Sequence, residues 1–147
     1  NNMYGMGTSV NRAAAGSDLY KRGEAFGIKG NIVNGMNVFK VIEAAQKAGD
    51  YVREGKGPYI LEVQTYRYRG HSMSDPAKYR SKEELETYKL NDPIEFVAQE
   101  MLKRKIISKK DLENINKKII KEIKEAVEYA LESPFPIYDD LFTNVYL

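Results

Sequence analysis

Apolar residues along this 147-residue chain fall into blocks of different period. From Ile28 to Val33 a short stretch rich in β-branched residues ends at Asn34-Gly35, a turn signal. Beyond it Val38, Val41, Ile42, Ala45, Ala48 and Val52 recur at helical spacing, which predicts a helix with one apolar stripe, closed near Gly55 by a left-handed residue. Gly57-Pro58 breaks the chain, and Tyr59 to Tyr66 reads as a second strand with Leu61, Val63 and Thr65 on one face. Strand, helix, strand at this spacing is the crossover unit of a parallel sheet.

The flanking regions differ in character. Upstream, glycine and asparagine leave room for two short helical patterns, Asn11 to Ala15 and Leu19 to Phe26, broken by Gly16 and Gly27. Downstream, Ser81 with Glu84 reads as a capping box, Asp92-Pro93 opens a helix running to about Lys105, and Ser108 with Asp111 resembles a third start. Leu112, Ile115, Ile119, Ile123, Ala126 and Ala130 then line one side of a long helix that stops at Ser133-Pro134. Its lysines and glutamates read as a solvated face. The aromatic tail from Phe135 to Leu147 is too short for its own core and is expected to dock on a neighbouring surface.

Composition narrows the function classes. Lys plus Arg number 23 against 21 Asp plus Glu, a net charge of +2 that is too balanced to argue for nucleic acid or an anionic membrane as partner. Without cysteine there are no disulfides, thiolate catalysis or cysteine-ligated metal. The longest apolar run falls far short of the roughly 20 residues that a membrane span needs. The expectation is a soluble chain, with an opening at Asn1-Asn2 that reads as a piece of something longer.

Chemistry is expected in the polar loop Arg67 to Pro76, directly after the second strand, because open α/β sheets bind ligands at the carboxyl ends of their strands. His71 is the sole histidine, and with Arg67 and Arg69 on the same loop it suits an anionic ligand such as a phosphate. Ser72 and Asp75 beside His71 sit too close along one loop to form the hydrogen-bond chain of a hydrolase triad. At the other end, the Asn2 amide oxygen and the carbonyls of the following turn are hard ligands of the kind magnesium prefers, though an octahedral set needs carboxylate or phosphate oxygens as well. Gly5-Met6-Gly7 is only a loose match to a phosphate-cradling loop.

Two segments together carry a family resemblance. Asn-Asn-Met-Tyr-Gly-Met-Gly-Thr-Ser at 1–9 and Gln-Thr-Tyr-Arg-Tyr-Arg-Gly-His-Ser-Met-Ser-Asp-Pro at 64–76 resemble the α subunits of thiamine-diphosphate-dependent pyruvate dehydrogenase components. The likeness runs the whole length, through Gly-Lys-Gly-Pro at 55–58 and Leu-Phe-Thr-Asn-Val-Tyr at 141–146. Ser-Met-Ser-Asp-Pro favours pyruvate over the relatives acting on branched-chain 2-oxo acids or acetoin. The resemblance implies an α/β fold: residues 1–80 as the carboxyl-terminal half of a thiamine-diphosphate-binding parallel-sheet domain, and 81–147 as a helical extension with a docking tail.

It also implies roles. Asn2 through its side chain and Tyr4 through its backbone carbonyl become Mg2+ ligands, completed by an aspartate of a Gly-Asp-Gly opening some thirty residues earlier in the family pattern. His71 becomes the loop histidine near the cofactor diphosphate, and Arg67 the arginine that orders this loop. The cofactor carries the decarboxylation chemistry, and further acid-base groups come from a β subunit in an α2β2 assembly that passes the acetyl group to a lipoyl-bearing acetyltransferase. Ser72 matches a serine phosphorylated in mitochondrial members. Ala77-Lys78-Tyr79-Arg80 is one residue shorter than many mitochondrial loops and places lysine near a second such serine. Abundant lysine, isoleucine and asparagine suggest an AT-rich bacterial genome and hence a cytoplasmic protein, with the mitochondrial matrix as the alternative. A reading from another class is a subunit-docking module in which the loop is merely structural.

Overall fold

A computed structural model describes residues 1–146. The last residue of the expected docking tail, Leu147, lies outside the described residues. The chain divides into two compact units, residues 1–100 and the segment from Met101 onward.

The first unit is built on the expected crossover. Strand β3 (Lys29–Asn34) pairs in parallel with β4 (Tyr59–Gln64), in register from Lys29 opposite Tyr59 to Asn34 opposite Gln64, and helix α2 (Val38–Arg53) connects them. The Asn37 side chain caps α2 by accepting from the Lys40 amide at 3.2 Å, a donor that the helix itself leaves unsatisfied. Gly55, with φ of +73°, follows the last turn as expected. At the other end of the turn the Gly35 amide donates to the Gln64 carbonyl at 2.6 Å, so close an approach that a Cβ would meet the same oxygen. On α2 the half-buried positions are Val41, Ala44, Ala48, Gly49 and Tyr51, while Val38, Ile42, Ala45 and Val52 of the expected stripe stay exposed. The apolar stripe is therefore wider than a two-stranded sheet can cover.

Ahead of the crossover lies a hairpin that hydrophobic patterning could not signal, because each of its strands has two residues. Strand β1 (Tyr4–Gly5) pairs antiparallel with β2 (Thr8–Ser9) across Met6-Gly7, and helix α1 (Val10–Ala13) follows. The pattern at Leu19–Phe26 has the expected bounds and closes on Gly27 with φ of +69°, but it winds as a 3-10 helix. Gly23 on it is buried, and a Cβ there would stand 2.6 Å from Ile60 Cδ1, so the segment lies directly on β4.

After the 67–76 loop come α3 (Lys82–Lys89) and α4 (Pro93–Lys103). The Ser81 hydroxyl accepts from the Glu84 amide at 3.1 Å, half of the expected capping box. The returning half is missing because the Glu84 carboxylate is engaged by two tyrosines. Asp92 accepts from Ile94 and Glu95, and Pro93 takes the first helical position, where a missing N–H costs nothing.

In the second unit the reciprocal box is complete at Ser108 and Asp111, opening α5 (Lys109–Glu132). Its lysines and glutamates pair at i, i+4, Lys118 with Glu122 and Lys121 with Glu125, both solvated. Its apolar side is open as well: Ile115, Ile119 and Ile123 are about half exposed. A 3-10 turn at Tyr138–Phe142 stacks its two end rings edge to face, and Phe135 and Tyr146 stand in solvent. Among the described residues Tyr66 is the one buried hydrophobic side chain, and no helix is long and apolar enough to cross a membrane.

Candidate functional site

The site is assembled on the carboxyl end of β4. Asn1 lies along the edge of this strand: its backbone nitrogen donates to the Val63 carbonyl at 2.8 Å and its carbonyl accepts from the Thr65 amide at 2.8 Å, the spacing of a parallel ladder. The chain then turns tightly, with Asn1 Oδ1 accepting from the Met3 amide and Asn2 Oδ1 from the Tyr4 amide at 3.1 Å, two successive Asx turns. Met3 accordingly takes a left-handed backbone, φ of +70°.

Asn2 and Tyr4 open on a cavity of about 570 Å³ whose lining includes Thr8, Val10, Leu19 and Arg22. Asn2 Oδ1 accepts one bond, and an amide oxygen has two lone pairs, so it retains capacity for a second partner. The donors are hard oxygens suited to Mg2+, but they are a partial set, because no group of three His, Cys, Asp or Glu residues with metal-binding geometry exists among the described residues.

Arg67 joins this hairpin to the loop. Its Nη2 donates to the Met6 carbonyl at 2.7 Å and to the Tyr79 hydroxyl at 2.8 Å, and its Nε donates to the Arg69 carbonyl. Gly7 accommodates the contact, since a Cβ there would strike the Tyr79 ring at 2.9 Å. Arg80 fixes the loop backbone from the other side, donating to the carbonyls of Arg67, Tyr68 and Arg69. Its guanidinium also sits 5.2 Å from the Tyr66 ring and 6.0 Å from those of Tyr4 and Tyr79.

Asp75 organises the tip. Its carboxylate accepts from the His71 amide at 2.7 Å, the Ala77 amide at 2.8 Å and the Tyr79 hydroxyl at 2.8 Å. These bonds, the one from His71 first, hold its carboxyl well below the usual range, at about 2. Asp75 thus takes the backbone N–H of His71, not its imidazole, which disposes of a triad. His71 and Ser72 are exposed, neither lines the cavity at Asn2, and the Ser72 hydroxyl lies 3.1 Å from that of Ser74.

A tyrosine cluster supports both segments. Glu84 Oε1 accepts from the Tyr4 hydroxyl at 2.7 Å and from the Tyr66 hydroxyl at 2.8 Å, and Tyr66 stacks on Tyr88 with centroids 3.9 Å apart. Burial, then the bond to Glu84, pushes the Tyr4 phenol up to about 12. Beneath them Glu62, 6% exposed, accepts from Asn1 Nδ2 at 2.7 Å and from the Tyr20 amide at 2.9 Å.

Of the residues expected from sequence, Asn2 and Tyr4 share one cavity, and Arg67 ties their hairpin to the loop that carries His71 and Ser72. Sequence reasoning missed Glu62, Arg80 and Glu84. A carboxylate inside an apolar stretch of a parallel strand was the available signal for Glu62, since such strands are covered on both faces. Arg80 has no local signature, and that of Glu84 points to a capping box, because the partners they take lie outside their own turn of chain.

The chain matches the family described as Dehydrogenase E1 component over residues 1–138. It is 52% identical over all of its length to the pyruvate dehydrogenase E1 component subunit alpha of Rickettsia bellii, covering 45% of that protein. It is 45% identical over 99% of its length to the subunit of the same name in Zymomonas mobilis, covering 41%, and 46% identical over 99% to the mitochondrial one of Sminthopsis macroura, covering 40%. The chain therefore spans less than half the length of these relatives.

Proposed function

The chain belongs to the Dehydrogenase E1 component family, and from that premise we propose that it is part of the α subunit of a pyruvate dehydrogenase, an oxidoreductase that decarboxylates pyruvate and passes the acetyl group to lipoyl. The observation that carries the reading is the pair of hydrogen bonds that Arg67 donates to the Met6 carbonyl and the Tyr79 hydroxyl, which tie the hairpin after Asn2 to the loop that holds His71. Residues 1–80 would bring one face of the thiamine diphosphate site, and 81–147 a helical extension. Asn2 Oδ1 and the Tyr4 carbonyl would hold Mg2+ together with an aspartate from outside this chain. Bound thiamine diphosphate would supply the electron sink for decarboxylation. The work of this chain is to position: Arg67, Arg80 and Asp75 hold the loop backbone so that the His71 imidazole is presented from an ordered turn.

Ser72 fits a regulatory role in the same proposal. A phosphate there adds about −1.5 to −2 charge. It would do so in the turn closed by the Asp75 amide on the Ser72 carbonyl, beside a carboxylate already anionic. Repulsion and competition for the His71 amide would loosen the loop.

The expected partners are a β subunit in an α2β2 assembly and the lipoyl-bearing acetyltransferase, with the bacterial cytoplasm as location and the mitochondrial matrix as alternative. The exposed aromatic tail favours a docking role for the second unit alongside catalysis. An α subunit of a 2-oxo acid or acetoin dehydrogenase is the alternative substrate reading.

The test is a calorimetric titration of the full-length α chain, assembled with β, with thiamine diphosphate and Mg2+, followed by assays of decarboxylation of pyruvate and branched-chain 2-oxo acids and of carbon–carbon cleavage of acetoin. Tight Mg2+-dependent binding and preference for pyruvate are expected. His71→Ala should weaken cofactor affinity and rate; if both are unchanged, the loop is structural and the docking reading stands alone.

A further inference from the structure

We infer that Glu62 is a positioning residue for the metal side of the site, and that the two consecutive asparagines divide the work: Asn1 anchors, Asn2 presents its oxygen. The inference rests on the proposed reading of Asn2 as a Mg2+ ligand. Glu62 is the buried charged side chain among the described residues, in the middle of β4. A carboxylate is acceptor-only, and taking one out of water is costly unless donors meet its oxygens. Here each oxygen meets one: Oε1 the Asn1 side-chain amide, Oε2 the Tyr20 backbone amide. The carboxylate thereby clamps the start of the hairpin to the 3-10 segment at Leu19–Phe26.

Asn1 is tied down at both ends of its side chain and along its backbone. Its Nδ2 is given to Glu62, its Oδ1 turns the chain by accepting from Met3, and its backbone is paired with Val63 and Thr65. Fixing Asn1 at both ends of its side chain fixes where Asn2 begins; both asparagines line the cavity, and among the described residues Asn2 Oδ1 accepts only from the Tyr4 amide. Outer partners of this kind orient metal ligands, and their loss typically weakens metal binding about 10- to 100-fold.

The pairing has a polarity that can be reversed. In Glu62→Gln an amide NH2 confronts either the Asn1 amide or the Tyr20 N–H, donor against donor. In the double variant Asn1→Asp with Glu62→Gln, the new carboxylate can accept from both Gln Nε2 and the Met3 amide, while Gln Oε1 keeps the Tyr20 bond.

The experiment uses the full-length α chain assembled with β. Calorimetry gives the Mg2+ dissociation constant at saturating thiamine diphosphate, scanning calorimetry the melting midpoint without cofactor, and assays the kcat at saturating Mg2+. Glu62→Gln and Asn1→Ala should each weaken Mg2+ binding about 10- to 100-fold with kcat at saturating metal close to wild type. The swapped double variant should recover to within about fivefold of wild type, a coupling that independent sites would not show. Should Glu62→Gln fail to fold, Asn1→Ala, which leaves the Glu62 bond to Tyr20 in place, decides by the same measure. Wild-type Mg2+ affinity in folded single variants, or a double variant no better than Glu62→Gln, overturns the inference while leaving the family reading intact. Absence of Mg2+-dependent cofactor binding in the wild-type assembly overturns that reading, and the inference with it.

Discussion

Asp75 and Tyr4 carry the two most strongly displaced titrations of the site, and they predict opposite pH behaviour. For Asp75 the folded value of about 2 lies below its ordinary 3.8, so the stabilisation is present above 3.8 and is lost as pH falls through about 2. An NMR titration of its carboxyl carbon should find a midpoint near 2, and Asp75→Asn should abolish that titration and speed proteolytic nicking of the 70–76 loop at neutral pH. For Tyr4 the folded value of about 12 lies above its ordinary 10.0, so the contribution is present below 10 and is lost as pH rises through about 12. Ultraviolet titration should show a late phenol component near 12 that Tyr4→Phe removes. Gly70 offers a steric test at the same scale. A Cβ there would collide with the Asp75 backbone and side chain, so Gly70→Ala should cost about 1–3 kcal/mol in denaturant unfolding or displace the loop.

At the scale of elements, the helix starts are the readable features and also the cheapest to perturb. Asn37→Ala removes the acceptor that satisfies the Lys40 amide and should lower stability by about 1 kcal/mol, read as a shift of the denaturant midpoint without change of slope. The two serine starts show why a motif and its outcome differ. Ser108 and Asp111 are free to satisfy each other, and the box closes. Ser81 and Glu84 have the same form, but Glu84 gives Oε1 to the Tyr4 and Tyr66 hydroxyls, which are stronger claims on a carboxylate than a solvent-accessible N-cap amide. Replacing Glu84 by Gln should therefore move the Tyr4 titration downward while leaving α3 helical, as read by circular dichroism.

For the molecule as a whole, exposure is the governing fact. Tyr66 is the one buried hydrophobic side chain among the described residues, while Phe26, Leu90 and Leu131 are more than four-fifths exposed. Apolar surface on this scale exceeds what a soluble monomer ordinarily leaves in water, and the chain spans less than half the length of the curated relatives it matches. Serine substitutions of Phe135 and Tyr146 in the full-length α chain should leave its melting midpoint near wild type and weaken assembly with β, measured by sedimentation. If assembly is unaffected, the tail has no docking role.

The amino-acid sequence by itself determined the parallel crossover, the bounds of α2 and α5, the loop at the end of β4 and the family motifs at 1–9 and 64–76. Each of these is written in residues a few positions apart, where helical or alternating periodicity, caps and turn formers act. The tertiary structure alone decided that Glu62 is buried under Asn1, that Glu84 abandons its capping box for Tyr4, and that Arg67 reaches Met6. Those partners lie 61, 80 and 61 positions apart. Hydrogen-bond choices over such spans depend on which donors burial brings within 3 Å of an acceptor that must be satisfied, and no local pattern encodes them.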